Sequence, residues 1–168
     1  MKNVVLVGMP GSGKSTLGVL LAEQLCYKFT DTDILITHKA QMPLQEIING
    51  KGLDYFLKFE EEIGCQAHYD GTVIATGGSM ILSDKAMQNL KHNGIVVYIN
   101  VPLEEIERRV NNVDTRGIAF KKGETLADIY EKRTPLYEKY ADVTVDFSTE
   151  SVENTVKKIK DKVIPLIK

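Results

Sequence analysis

The octapeptide Gly8-Met9-Pro10-Gly11-Ser12-Gly13-Lys14-Ser15 constrains this chain more than any other feature. It matches G-x-x-x-x-G-K-[ST] and lies between an apolar run, Val4 to Val7, and an amphipathic stretch, Ser15 to Leu25. Strand, loop and helix is the context in which such a loop cradles phosphates. Glycines at 8, 11 and 13 let backbone N–H groups turn inward and line a concave anion site. The helix that starts there adds its unpaired N–H groups and the positive end of its dipole. Lys14 is placed to reach the β- and γ-phosphates, and Ser15 supplies a hydroxyl for Mg²⁺. A glycine-rich turn that only caps a helix would not need the Lys-Ser pair. The motif predicts binding of a nucleoside triphosphate.

The 168 residues suit one domain, long enough to bury roughly 68–70% of its unfolded surface. With a net charge of −2, no basic field recommends nucleic acid or a membrane surface as partner. Cys26 and Cys65 lack metal-ligand spacing, and no apolar run approaches the ~20 residues of a membrane span. No leader pattern precedes the first strand, so the expected setting is the cytoplasm, and the expected state a monomer.

Helix and strand patterns alternate. Strands are predicted near 3–7, 28–31, 72–76, 95–100 and 142–147, the third and fourth as continuous apolar runs suited to parallel strands covered on both faces. Helices are predicted near 14–26, 33–40, 43–49, 53–69, 84–91, 103–111, 124–139 and 150–164. Ser83 and either Thr149 or Ser151 are expected N-caps. Such alternation implies an α/β fold with a doubly wound parallel sheet. The polar stretch 111–124 carries Arg116, Lys121 and Lys122 and has Gly117 and Gly123 near its ends. It reads as a lid over the phosphates, or else as a plain solvated loop.

Three further groups carry chemistry. Asp31 and Asp33 fall at the end of the second predicted strand, where ligands of open α/β sheets bind. In an extended segment they point the same way, one toward a Mg²⁺-bound water and the other toward an acceptor hydroxyl. The competing reading is an N-cap pair. Thr76-Gly77-Gly78-Ser79 follows the third strand and permits close approach of a substrate to backbone N–H groups, unless it only turns the chain into a helix. Arg108, Arg109, Arg116 and Arg133 offer guanidinium partners for the charge of a moving phosphoryl group, with Arg108 assigned to the surface.

Together these features resemble the shikimate kinase family of small P-loop kinases over nearly the whole chain. The landmarks are Gly11-Ser12-Gly13-Lys14-Ser15-Thr16, Asp31-Thr32-Asp33, Phe56 with Glu60, Thr76-Gly77-Gly78, Arg116, and Arg133 followed by Pro135-Leu136-Tyr137. The resemblance implies a nucleoside-monophosphate-kinase-like three-layer fold: a five-stranded parallel sheet, an acceptor-binding segment over 33–62 and a lid over 111–124. It implies ATP and Mg²⁺, with residues 11–16 on the phosphates and Ser15 and Asp31 at the metal. Asp33 would grip the acceptor and act as base, Arg116 would meet the transferring phosphate, and Arg109 would stack on adenine. Arg133 would bind the acceptor, its ring lying near Gly77, Gly78 and the neighbouring Ser79.

Three positions depart from the family pattern. The family's carboxylate-binding arginine is Leu57, its third glycine is Ser79, and an arginine usual after Gly18 is Val19. Lys58 lies 100° further round a helix and is no simple replacement for the missing guanidinium. Breaking a buried charge pair costs about 3–5 kcal/mol, so shikimate is expected to bind weakly. The acceptor is then a small hydroxylated metabolite, with shikimate one candidate among cyclitols and sugar acids. Gluconate- or nucleotide-type kinases and a transfer-inactive nucleotide sensor are the alternatives.

Overall fold

A computed structural model describes residues 1–110 and 117–168. Five strands form one sheet: β1 Asn3–Val7, β2 Lys28–Asp31, β3 Thr72–Ala75, β4 Gly94–Asn100 and β5 Val143–Asp146. Their order is β2-β3-β1-β4-β5, and every pairing is parallel. The wholly buried β1 sits in the middle, with Val5 opposite Ile74 on one side and Val96 on the other. Apolar side chains on both faces of β1 and β4 explain why these strands read as continuous apolar runs. The chain leaves β1 toward one half of the sheet and enters β4 on the other. That reversal opens a crevice beyond the strand ends.

Eight α-helices accompany the sheet among the described residues: α1 Lys14–Leu25, α2 Thr32–Ala40, α3 Leu44–Lys51, α4 Leu53–Cys65, α5 Asp84–His92, α6 Leu103–Arg109, α7 Leu126–Tyr140 and α8 Val152–Ile167. The expected caps form at Ser83, which accepts from the Ala86 N–H, and at Ser151 rather than Thr149, accepting from the Asn154 N–H. Thr125 and Asp128 close a reciprocal capping box, so α7 starts at Leu126 and not at residue 124. α8 buries Val156, Ile159 and Val163, each contributing about 1.5–3 kcal/mol of transfer free energy. Two differences from expectation stand out. α4 stops at Cys65, short of 69, and a 3₁₀ turn over Met80–Leu82 follows Ser79.

A second apolar cluster, Ile36, Ile47, Phe56, Ile63 and Ala119, lies apart from the core around the sheet. It ties α2, α3 and α4 together. The segment 33–62, expected to bind the acceptor, therefore has a core of its own.

Candidate active site

The phosphate loop leaves β1 and enters α1 through Gly13, whose φ of 87° lies in the left-handed region open to glycine. A Cβ there would also stand 3.0 Å from the Phe147 ring. Lys14 is buried against its own loop, donating to the carbonyls of Gly8 and Met9 at 2.8 Å each and to Ser12 Oγ at 3.2 Å. Burial draws its ammonium down to about 8, a shift opposed by the Asp33 and Asp31 carboxylates.

Ser15 Oγ donates to Asp31 Oδ2, joining the loop to the end of β2. Asp31 Oδ1 also accepts from the Asp33 N–H at 2.9 Å. Contrary to expectation, the two aspartates do not share an extended segment. The helix starts at Thr32, so Asp31 caps α2 while Asp33 occupies its first turn. Asp33 still reaches the crevice, since it lines the cavity, while Asp31 meets the phosphate loop through Ser15. Burial, reinforced by Asp31, pushes the Asp33 carboxyl up to about 6, with Lys14 pulling it down.

The loop after β3 is pinned from three sides. The Gly77 N–H donates to Thr32 Oγ1 at 2.9 Å, Tyr137 Oη donates to the Gly78 carbonyl at 2.7 Å, and Ser79 Oγ donates to Glu60 Oε1 at 2.6 Å. Any side chain on Gly77 would collide with the carboxylates of Asp33 and Glu60. Arg133, 3% exposed, donates from Nη2 to the Ala119 carbonyl, and its Nη1 is buried without a partner among the described residues.

These elements enclose a cavity of about 290 Å³. Gly11, Gly13, Lys14, Ser15, Thr16, Asp33, Gly78, Ser79 and Arg133 line it, as do Pro10, Phe56 and Thr76. Ser12 is fully buried within the loop, and neither it nor Asp31 nor Gly77 lines the cavity; Asp31 is bonded to Ser15 and Gly77 to Thr32. Leu57 does not line this cavity. It borders two adjoining clefts of about 590 and 240 Å³, which meet the first at Ser79 and at Ala119 and Arg133. Arg109 lies beside the phosphate loop, 4.8 Å from the Phe147 ring centroid, donating to Glu105 Oε1 at 2.9 Å and to the Gly11 carbonyl at 3.3 Å. Arg108 is surface-exposed and paired with Glu105, as expected. Arg116 lies outside the described residues.

The oxygen donors suit a hard divalent cation. Among the described residues no group of three or more His, Cys, Asp or Glu could hold a metal alone. A Ser hydroxyl beside one carboxylate is what Mg²⁺ uses when water and phosphate complete its shell. Glu60 also stands at the site, bonded to Ser79, although no sequence motif assigns it a role. Its signal was a carboxylate on the buried stripe of α4, between Phe56 and Ile63.

The family model for shikimate kinase matches residues 10–164. The chain belongs to the shikimate kinase family. Among curated members it is 39% identical to the shikimate kinase of Clostridium botulinum over 95% of this chain and 98% of that protein. It is 34% identical to the enzyme of a Sulfurihydrogenibium species over 97% and 98%. Its fold superposes on the shikimate kinase of Acinetobacter baumannii, solved with shikimate, at a TM-score of 0.89 and 29% identity, over 99% of this chain and 94% of that one. Members of the shikimate kinase family are ATP-dependent phosphotransferases with an alcohol acceptor, and this chain has that activity. The gluconate, nucleotide and sensor alternatives are not favoured. No helix among the described residues is long and apolar enough to cross a membrane.

Proposed function

We propose that this chain transfers the γ-phosphate of ATP to a ring hydroxyl of shikimate or a close carboxylate-bearing analogue. The supporting observation is Arg133, a buried guanidinium whose Nη1 has no partner among the described residues, lining the same cavity as Asp33. Arg133 takes the acceptor carboxylate and Asp33 its hydroxyl, which places that hydroxyl toward the phosphate loop. Lys14 trades its loop carbonyls for the β- and γ-phosphates. Ser15 and Asp31 hold Mg²⁺, which neutralises phosphate charge when bound. Arg109 faces adenine, and Arg116 meets the transferring phosphate, an assignment resting on the sequence. With Leu57 in place of a second guanidinium, Arg133 carries the carboxylate unaided, and the enzyme works at a high acceptor concentration. A monomer in the cytoplasm completes the reading. ADP release with shikimate, quinate, gluconate and nucleoside monophosphates tests it. Turnover of shikimate above the others supports the assignment; turnover of gluconate or a nucleotide with none of shikimate overturns it.

A further inference from the structure

Two departures from the family pattern meet at one buried carboxyl group. Leu57 stands three residues before Glu60 on α4, so no guanidinium from that helix reaches the Glu60 side chain. Ser79 contributes instead a neutral hydroxyl, donating to Oε1 at 2.6 Å. The other oxygen, Oε2, is buried with no partner among the described residues. It crowds the same face of Gly77 as Asp33 Oδ1. An ionised carboxylate in that place would leave one oxygen orphaned beside a second carboxylate, the costliest arrangement available to it. A proton on Oε2 removes the conflict by turning an unpaired acceptor into a donor.

We propose that Glu60 works as a neutral carboxylic acid, set by Ser79 so that its Oε2–H faces Asp33 and positions that carboxylate for the acceptor hydroxyl. The charged and titratable groups around it are Lys14 from α1, Asp33 from α2, and Arg133 and Tyr137 from α7, with Ser79 at the loop after β3. Burial is the largest influence and pushes the acid up to about 8, Asp33 adds to the rise, and Ser79, Arg133 and Lys14 oppose it. Glu60 is thus a positioning residue. Its effect on acceptor binding rests on Asp33 holding the acceptor, as proposed above.

Glu60→Gln distinguishes a neutral from an ionised side chain. The amide keeps an acceptor for Ser79 and presents N–H toward Asp33, so kcat/KM for the acceptor at pH 7 is expected within about three-fold of the unaltered enzyme, while Glu60→Ala loses about ten-fold or more. The acceptor KM of the unaltered enzyme rises above about pH 8, where Glu60 ionises, and that of the Gln variant does not. Ser79→Ala removes a hydrogen bond that favours the charged form, so it moves the alkaline rise to higher pH. A Gln variant that is folded by circular dichroism but loses more than about ten-fold overturns the proposal. So does an acceptor KM flat across that pH range. Difference infrared spectroscopy of the protein without acceptor gives a reading independent of which acceptor is used. A protonated-carboxyl stretch present at pH 7 and absent from the Gln variant supports a neutral Glu60 even if shikimate is not turned over, and no difference between the two overturns it.

Discussion

The Lys14 ammonium lies 2.8 Å from the Gly8 carbonyl, folded back across the loop that carries it. A cation held there has little to lose when phosphate oxygens replace the carbonyls, because it is already desolvated and draws its pKa down to about 8. Lys14→Ala should lower turnover by about 10²-fold or more, as expected for one electrostatic group of this kind. The three loop hydrogen bonds disappear, but so does a charge that burial disfavours, so these offset each other and stability should change by no more than about 1–2 kcal/mol. Coupled ADP release and urea unfolding measure the two effects. Retention of more than a tenth of the turnover would remove Lys14 from the phosphate site.

Asp33→Asn should abolish acceptor phosphorylation with little change in ATP affinity. Asp33 lines the cavity, whereas Asp31 is bonded to Ser15 and is the carboxylate proposed to hold Mg²⁺. Nucleotide affinity and turnover are to be measured in the same preparation. Collapse of ATP binding with acceptor use preserved would mean that the two aspartates have exchanged roles.

Leu57→Arg should lower the KM for shikimate by about ten-fold or more, since a bidentate guanidinium–carboxylate pair is among the stronger polar contacts. The clefts beside Leu57 leave room for the longer side chain. The unaltered enzyme should show a shikimate KM above the common ~1 μM–1 mM range. A new cation three residues from Glu60 should also draw that acid's ionisation to lower pH. A low KM in the unaltered protein, unimproved by the arginine, would show that Arg133 suffices.

Stability should depend on pH through Glu60. Its acid is raised from 4.5 to about 8, so between those values the native state binds a proton that the unfolded chain releases. Stability from this group is complete below about 4.5 and falls as pH rises toward 8. Denaturant melts across that interval, compared with Glu60→Gln, should isolate a slope no steeper than about 1.4 kcal/mol per pH unit. Equal slopes in the two proteins would mean that Glu60 does not hold the proton.

Local chemistry was legible along the chain. The glycines and Lys-Ser of residues 8–15 impose a phosphate loop because few other residues permit its backbone or supply its charge. The unbroken apolar runs of β1 and β4 announce parallel strands because both faces must be buried. Ser83 caps α5 as the sequence suggests, and of the two candidates Thr149 and Ser151 the structure uses Ser151. Where Asp31 and Asp33 part company was not legible, since one residue's difference in where α2 begins decides whether two carboxylates share a face. The same holds at Leu57, whose place depends on how α4 lies against the loop after β3. Sequence alone determined the nucleotide loop and the alternation of strands and helices along the chain, because those follow from backbone freedom and periodicity within a few residues. Only the tertiary structure decided that Glu60, Ser79 and Asp33 meet around Gly77, because burial and proximity between segments 17 to 46 residues apart are set by packing. That burial, which no single segment carries, is what turns an ordinary glutamate into an acid that keeps its proton.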